Sequence, residues 1–196
     1  MTNLGNNEEA ITYYDKVTAI EANATVAYHN KGLALANLEK YQDAISQYDK
    51  ALSVEPNNTD ILLDKGNALS YLGKDTEAIQ QYDKILSIEP DRTNALDFKG
   101  ISLANLGRND EAITYFDKAL ATYPGDVEYL VVNGLDLPCS CILVNKGLAL
   151  YDLGKYNESV TQYNYALDLN PDDSSAMFNK GLALVKLGKY DEAITQ

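Results

Sequence analysis

Residues 25–58 read TVAYHNKGLALANLEKYQDAISQYDKALSVEPNN, and residues 59–92 follow the same pattern with TDILLDKGNALSYLGKDTEAIQQYDKILSIEPDR. In each stretch the glycine of a Lys-Gly pair is followed twelve residues later by an alanine, then after four residues by a tyrosine and after eight more by a proline. The marker glycines of the whole chain, spaced by 34, 34, 47 and 34 residues, are Gly32, Gly66, Gly100, Gly147 and Gly181. Self-similarity at a fixed period indicates stacked supersecondary units rather than a globule around one core.

Each unit carries two apolar stripes with helical spacing. In the unit at 25–58 they are Tyr28, Gly32, Leu35 and Leu38, then Ala44, Ile45, Tyr48, Ala51 and Leu52. The pattern predicts two helices joined by a turn, and the second helix ends at Pro56 because proline cannot continue the hydrogen-bond ladder. The turns are marked by Gly73, Gly107, Gly154 and Gly188, with Glu39 in the corresponding place. We expect the small glycine of one helix to face the small alanine of the other, so that the two backbones approach closely.

A 34-residue helix-turn-helix unit with glycine, then Ala-x-x-x-Tyr/Phe, then proline resembles the tetratricopeptide repeat. The resemblance covers all of the chain except about thirteen residues. The chain departs from the family pattern at the first-helix tryptophan, whose place is taken by Tyr28, Leu62, Leu96 and Met177. The resemblance implies an all-α fold, a right-handed solenoid of stacked helix-turn-helix repeats in a TPR-like superhelix.

The repeat markers predict a division of the chain into units. They give a partial repeat 1–24 with a second helix only, full repeats 25–58, 59–92, 93–126 and 140–173, and a truncated repeat 174–196. Repeat arrays need polar caps at their ends, and none is evident here. We expect either a fragment of a longer array, which we favour, or ends that are covered by another molecule.

The 47-residue step contains thirteen extra residues. They are Val127 to Cys139 if the next first helix begins at Ser140, or Val132 to Val144 if that helix begins at Val127. Proline inside a helix costs about 3 kcal/mol, so no continuous helix should cross Pro138. Lengthening a short connection costs only about 1.2 kcal/mol in closure entropy. We therefore predict a looped-out insert with Leu143, Gly147 and Leu150 still packed in register; the insert is a tolerated surface insertion, a gene-model artefact or a functional loop.

Composition excludes several function classes. The chain of 196 residues has 16 basic and 29 acidic residues and a net charge of −13, which argues against binding to nucleic acid or to anionic membranes. It contains no apolar run long enough to span a membrane and no secretory signal. With two cysteines, Cys139 and Cys141, it has no disulfide framework, and we expect free thiols and a cytoplasmic protein.

The chain lacks the patterns that carry chemistry. Its single histidine, His29, has no hydrolase-type nucleophile pattern around it, and the Gly-Lys pairs at Gly73, Gly154 and Gly188 lack the upstream glycine of a phosphate-binding loop. Zinc requires four ligands, which Cys-Ser-Cys and a distant histidine do not supply. We predict no enzyme activity, no cofactor and no metal site.

In proteins that this sequence resembles, the first helices line a concave groove that holds a peptide or partner segment. Helical spacing places the corresponding stripe opposite the buried face of each first helix. Its members are Val26, His29, Leu33, Asn37, Asp60, Leu63, Asn67, Tyr71, Asn94, Asp97, Ile101, Asn105, Leu148, Tyr151, Asp152, Phe178, Leu182 and Lys186. Asparagine amides can bond an extended backbone, and apolar residues and tyrosine supply contact area.

Some family members hold acidic chaperone tails with groove lysines and arginines, but here the corresponding positions carry His29, Leu63 and Asp97. The acidic balance favours a neutral to basic protein or peptide partner. We therefore predict a non-catalytic interaction scaffold or adaptor. The alternatives are a recruiting or regulatory arm of a larger enzyme, and end-to-end self-association through uncapped repeat ends.

One lysine recurs inside the buried stripe of every first helix: Lys31, Lys65, Lys99, Lys146 and Lys180. Burying an isolated ammonium is costly, so each lysine should bury its stem and direct its charge outward. The candidate partners on the preceding second helices are Asp15, Asp49, Asp83 and Asp117, and Asn164 breaks the series before Lys180. We predict a ladder of partly exposed ion pairs, each worth about 0–1 kcal/mol.

Overall fold

The computed structural model describes residues 4–21, 23–123 and 139–194, and within these ranges the ordered elements are all α-helices. They are α1 (Leu4–Ile20), α2 (Thr25–Asn37), α3 (Tyr41–Val54), α4 (Thr59–Tyr71), α5 (Asp75–Ile88), α6 (Thr93–Asn105), α7 (Asn109–Ala121), α8 (Cys139–Asp152), α9 (Tyr156–Leu169), α10 (Ser174–Lys186) and α11 (Tyr190–Ile194). The chain divides into two compact units, unit 1 from Met1 to Pro90 and unit 2 from Asp91 to Gln196.

Within each unit, consecutive helices form packed hairpins. In unit 1, α2 packs on α3 and α4 packs on α5, while α1 lies against α2 and α3 against α4. In unit 2, α6 packs on α7, α8 on α9 and α10 on α11, and α7 and α9 each pack on the next first helix. Each hairpin thus buries its apolar faces against its neighbours, as expected for stacked repeats, and the predicted all-α repeat fold is confirmed.

The turns between the paired helices have one backbone geometry. Gly73, Gly107, Gly154 and Gly188 all have positive φ angles of 71–75°, and Glu39 adopts the same conformation with φ 58°. The left-handed region is open to glycine without steric cost. The predicted turn residues are confirmed, and Glu39 is the one non-glycine residue of positive φ in the described parts of the chain.

Four of the five marker glycines lie against the aromatic ring of the following second helix: Gly32, Gly66, Gly100 and Gly147. A Cβ atom added to Gly32 would come 2.3 Å from Tyr48 Cε1, and one added to Gly147 would come 2.4 Å from Tyr163 Cε1. The expectation that the glycine faces the alanine did not include this ring. The alanine, such as Ala44, is fully buried, and the glycine is small because a whole ring must occupy the space above it.

The repeat register continues after the insert. Helix α8 begins at Cys139, one residue before the start predicted for the first of the two placements. Leu143 is fully buried and Leu150 is 4% exposed, so the predicted packing of these residues is confirmed. The ammonium of Lys146 lies 2.6 Å from a carboxylate oxygen of Asp117, which is the ion pair expected from the earlier repeats. Residues 127–138 of the first placement and 132–138 of the second lie outside the described residues.

Three members of the predicted lysine–aspartate ladder are present. Lys31 pairs with Asp15, Lys65 lies 2.5 Å from Asp49, and Lys146 pairs with Asp117. In each pair the lysine side chain is largely buried and the aspartate is about half exposed, as predicted from stem burial.

Lys99 is buried more deeply than its equivalents, with 8% of its surface exposed. Its ammonium donates to the hydroxyl of Tyr115 at 2.7 Å and lies 4.0 Å from the centroid of that ring. The aromatic ring thus supplies both a hydrogen bond and a cation–π contact to a lysine in the core.

Candidate functional site

A cleft of about 370 Å³ lies in unit 1, where α2, α3 and α4 meet. Its lining consists of Leu33, Ala36, Asn37, Glu39, Tyr41, Tyr48, Asp64, Asn67, Ala68 and Tyr71. The α4 members are spaced by three, four and seven residues from Asp64, so they occupy one face of that helix. Ala36 and Ala68 are the smallest side chains of the lining, and their size leaves room between the helices.

Four residues of the predicted stripe come together in this cleft: Leu33, Asn37, Asn67 and Tyr71. The sequence argument missed Tyr41, Tyr48, Asp64 and Glu39, because it followed one stripe of the first helices and assigned Tyr48 to the core. Tyr48 belongs both to the core and to the cleft, because its ring packs on Gly32 and the residue also lines the cleft.

Two tyrosines stack at one end of the cleft. The rings of Tyr41 and Tyr71 lie nearly parallel, with a centroid separation of 5.0 Å and an interplanar angle of 10°. Tyr71 remains 73% exposed. Desolvation and the nearby Glu39 carboxylate raise the pKa of Tyr41. The stacked rings present aromatic surface of the kind that binds extended segments.

An anchored carboxylate lies at another point of the lining. Nε2 of His29 donates to Oδ2 of Asp64 at 2.6 Å, and the His29 ring meets the Tyr48 ring edge to face at 5.9 Å. The second oxygen of Asp64 has no hydrogen-bond partner among the described residues, and 28% of this side chain is exposed. His29, a predicted groove residue, therefore positions a carboxylate whose other oxygen is available to a ligand.

The hydroxyl of Tyr48 differs from that of its counterpart in the next repeat. Tyr82 donates to Oδ1 of Asn67 at 2.9 Å. The position equivalent to Asn67 in the preceding repeat is Leu33, which has no acceptor. Tyr48 is 1% exposed, and its hydroxyl has no hydrogen-bond partner within residues 4–21, 23–123 and 139–194. Burial, with a smaller contribution from the Asp64 charge, raises the pKa of Tyr48 far above its usual value, so the phenol keeps its proton.

The charged side chains that line this cleft, Glu39 and Asp64, are both acidic. Its remaining lining is tyrosine, asparagine, leucine and alanine. The surface therefore combines negative potential, amide groups and aromatic area, which together suit an extended segment of neutral to positive charge.

The other predicted groove residues of unit 1 lie elsewhere or are covered. Val26 lines a separate depression with Tyr14 and Val17. Asp60 is exposed, whereas Leu63 is only 8% exposed and offers little contact area.

In unit 2 the predicted positions form a different set of contacts. Nδ2 of Asn145 on α8 donates to Oδ1 of Asp97 on α6 at 3.2 Å, and burial, partly offset by this bond, raises the pKa of Asp97 to about 6. The ring of Tyr151 meets that of Tyr156 at 5.2 Å. Oδ1 of Asn94 accepts from Arg92 at 3.1 Å.

The rest of the predicted unit 2 positions present surface to varying degrees. Phe178 is 67% exposed and Leu182 is 40% exposed on α10. The other members are Ile101, Asn105, Leu148, Asp152 and Lys186, of which Ile101 is half-buried and the others are exposed.

The described parts of the chain show neither of two features that would change this interpretation. No group of three or more histidine, cysteine, aspartate or glutamate side chains within them is placed to hold a metal ion. Nor does any helix found there have the length and apolar character needed to cross a bilayer.

Comparison with known proteins places the chain in a family of interaction scaffolds. The sequence matches the tetratricopeptide repeat over residues 2–23, 25–58, 59–92 and 93–126, and the TPR repeat over residues 147–188. The chain therefore belongs to the tetratricopeptide repeat family, as its repeat pattern predicted. No protein with a curated function matches it in sequence.

Solved structures show the same fold at low identity. A tetratricopeptide repeat protein from Parabacteroides merdae is 22% identical with a TM-score of 0.78, covering 97% of this chain and 71% of its own. MamA from Desulfovibrio magneticus is 19% identical with a TM-score of 0.73, covering 87% of this chain and 89% of its own. YrrB, described as a TPR protein with an unusual peptide-binding site, is 18% identical with a TM-score of 0.67, covering 93% of this chain and 87% of its own.

Proposed function

We propose that the chain is a non-catalytic scaffold that binds an extended, neutral to basic segment of a partner protein, with the cleft of unit 1 as the principal contact. The observation that carries the proposal is the meeting of Leu33, Asn37, Asn67 and Tyr71 in one acidic cleft. The two asparagines supply amide donors and acceptors for a peptide backbone. Leu33 and the Tyr41–Tyr71 stack supply apolar and aromatic contact area.

Charge supports a basic rather than an acidic partner. The cleft is lined by two carboxylates, and the whole chain carries a net charge of −13. An acidic peptide would be repelled by the cleft carboxylates and by the net charge of the whole chain, whereas a basic peptide would be steered toward the surface. The solved structure of YrrB, a TPR protein described as having an unusual peptide-binding site, adds support from a protein of the same fold.

The exposed positions of unit 2 extend the proposed interaction surface. Phe178 and Leu182 on α10 are apolar and exposed, and such residues serve as contact points for a partner. We assign them a secondary role, because the unit 1 cleft brings amides, aromatic rings and carboxylates together in one lining.

An array of short random peptides that spans negative to positive net charge tests this function. We expect the labelled chain to bind a subset of the neutral and basic peptides and to bind acidic peptides least. The variant Tyr71→Ala should lose most of that binding, because it removes the exposed half of the aromatic stack. Tyr13→Ala, which truncates another exposed tyrosine of unit 1, serves as the matched control and should bind as the parent chain does.

Two results would contradict the proposal. One is a preference for acidic peptides. The other is binding that Tyr71→Ala and Tyr13→Ala leave equally intact, which would locate the interaction outside the cleft.

A further inference from the structure

We infer that the cleft of unit 1 takes an arginine side chain of the bound segment, with the guanidinium group between the Asp64 carboxylate and the Tyr48 hydroxyl. This inference rests on the proposed function and names the residue type that the cleft selects. It depends on three features of the lining: a second Asp64 oxygen and a Tyr48 hydroxyl that can each accept a hydrogen bond, an apolar floor of the right length, and a lining without lysine or arginine.

The two polar groups are complementary to a guanidinium. Oδ2 of Asp64 is held by His29 at 2.6 Å, which leaves the other oxygen as an acceptor. The Tyr48 hydroxyl lies on a side chain that is 1% exposed and that lines the cleft. It can accept one N–H while its own proton remains available to a carbonyl group of the segment.

The floor of the cleft fits a long side chain. Asp64 and Tyr71 are seven residues apart on α4, which corresponds to about 10 Å along the helix. Ala68 lies between them, and Ala36 lines the cleft from α2. An arginine stem can lie over these two alanines, with its charge at Asp64 and its backbone near the Tyr41–Tyr71 stack.

The geometry favours arginine over lysine. The guanidinium is a planar group with five donors, so it can donate to a carboxylate and to a phenol at the same time. An ammonium group is a compact, strongly hydrated charge that satisfies fewer fixed acceptors. The lining contains neither lysine nor arginine that would neutralise Asp64 or Glu39.

The two repeat junctions of unit 2 lack the carboxylate. Asn145 and Asn179 stand in the place of Asp64, whereas the place of Tyr48 is taken by Phe116 at the first junction and by Tyr163 at the second. The sequence therefore pairs a carboxylate with the phenol at the unit 1 junction and not at those of unit 2, and unit 2 shows which substitutions the repeat architecture accepts.

Three labelled heptapeptides test the inference by fluorescence anisotropy with the full chain. They share the sequence Ser-Gly-Leu-X-Leu-Gly-Ser, with arginine, lysine or citrulline as X; citrulline keeps the shape of arginine and removes its charge. We expect the arginine peptide to bind about ten-fold more tightly than the citrulline peptide, because a charge-assisted bidentate pair is lost. We expect the lysine peptide to fall between the two.

Two variants locate the effect. Asp64→Asn and Tyr48→Phe copy the residues that unit 2 already contains, and circular dichroism checks that each variant folds. Asp64→Asn should remove the preference for arginine over citrulline, because the charge that distinguishes the two side chains is gone. Tyr48→Phe should reduce the preference several-fold.

The outcomes separate this inference from the proposed function. Equal binding of the three peptides, or an arginine preference that survives in Asp64→Asn, overturns the arginine subsite and leaves the peptide-binding function standing. Equal affinity for arginine and lysine overturns the assignment of a guanidinium. If neither these peptides nor any on the array bind, both proposals fail.

Discussion

Units 1 and 2 use the same backbone positions for different side-chain pairs. His29 of α2 contacts Asp64 of α4 at 2.6 Å, and Asp97 of α6 contacts Asn145 of α8 at 3.2 Å. Each pair joins equivalent positions of consecutive first helices, but the carboxylate has moved from the second partner to the first. The comparison shows that packing follows the repeat period whereas the chemistry of the exposed face does not.

The largest expected effect concerns what the two units share. Gly32→Ala and Gly147→Ala should each lower the free energy of unfolding by about 1–3 kcal/mol, because the new methyl group would overlap a tyrosine ring. Gly181→Ala is the matched control, since the nearest atom to its added Cβ is 4.0 Å away. Alanine should stabilise that helix by about 0.5–1 kcal/mol. Urea denaturation monitored by circular dichroism measures all three, and equal effects at the three glycines would refute the glycine–ring contact.

The next effect is a pH dependence of folding stability that arises from Asp97 in unit 2. Burial raises the pKa of Asp97 to about 6, above the usual unfolded value of about 3.9. The folded state therefore holds an extra proton between these values, and stability falls as the pH rises through this window. Asp97→Asn should raise stability by about 1–2 kcal/mol at pH 8 and by almost nothing at pH 4. Thermal melts of both proteins across this range measure the difference; a gain that does not depend on pH would contradict the assignment.

The smallest effect concerns the turn of unit 1 that departs from the others. Glu39 has φ 58°, whereas the corresponding residues in the later repeats are glycines. Glu39→Gly should stabilise the chain by about 0.5–1 kcal/mol, because the strain of the left-handed conformation is relieved. Gly73→Ala should change stability by a similar amount in the opposite direction, since its added Cβ meets no atom within 4 Å and only φ is unfavourable. Changes of the same sign in both variants would contradict this account.

The sequence was sufficient to predict the fold because its determinants repeat. Gly32, Tyr48 and Pro56 recur at fixed intervals, and each has a local role. The glycine leaves space for a ring, the tyrosine supplies that ring, and the proline ends the second helix. The pairing of Lys146 with Asp117 also followed from the period. The contact between the glycine and the aromatic ring was not predicted, because spacing along a helix does not say which neighbour fills the space above a glycine.

The candidate site was only partly predictable. Leu33 and Tyr71 follow from the exposed stripe of the first helices, but Asp64 lies one position beside that stripe and is recognised only through its contact with His29. The hydroxyl of Tyr48 is free because Leu33 stands where the next repeat has Asn67. This difference acquires a meaning only when the structure shows that Tyr82, the counterpart of Tyr48, donates to Asn67. A search for departures from the repeat consensus, rather than for the consensus itself, is the signal that finds such sites.

Binding of a partner segment in the cleft of unit 1 can be observed by a two-dimensional NMR titration of the isotopically labelled chain with the arginine heptapeptide. We expect chemical-shift changes at Asn37, Asn67 and Tyr71, with the equivalent unit 2 positions Leu148 and Asp152 unmoved. Shift changes centred on the unit 2 positions, or a saturating titration that leaves the unit 1 cleft unchanged, would contradict it.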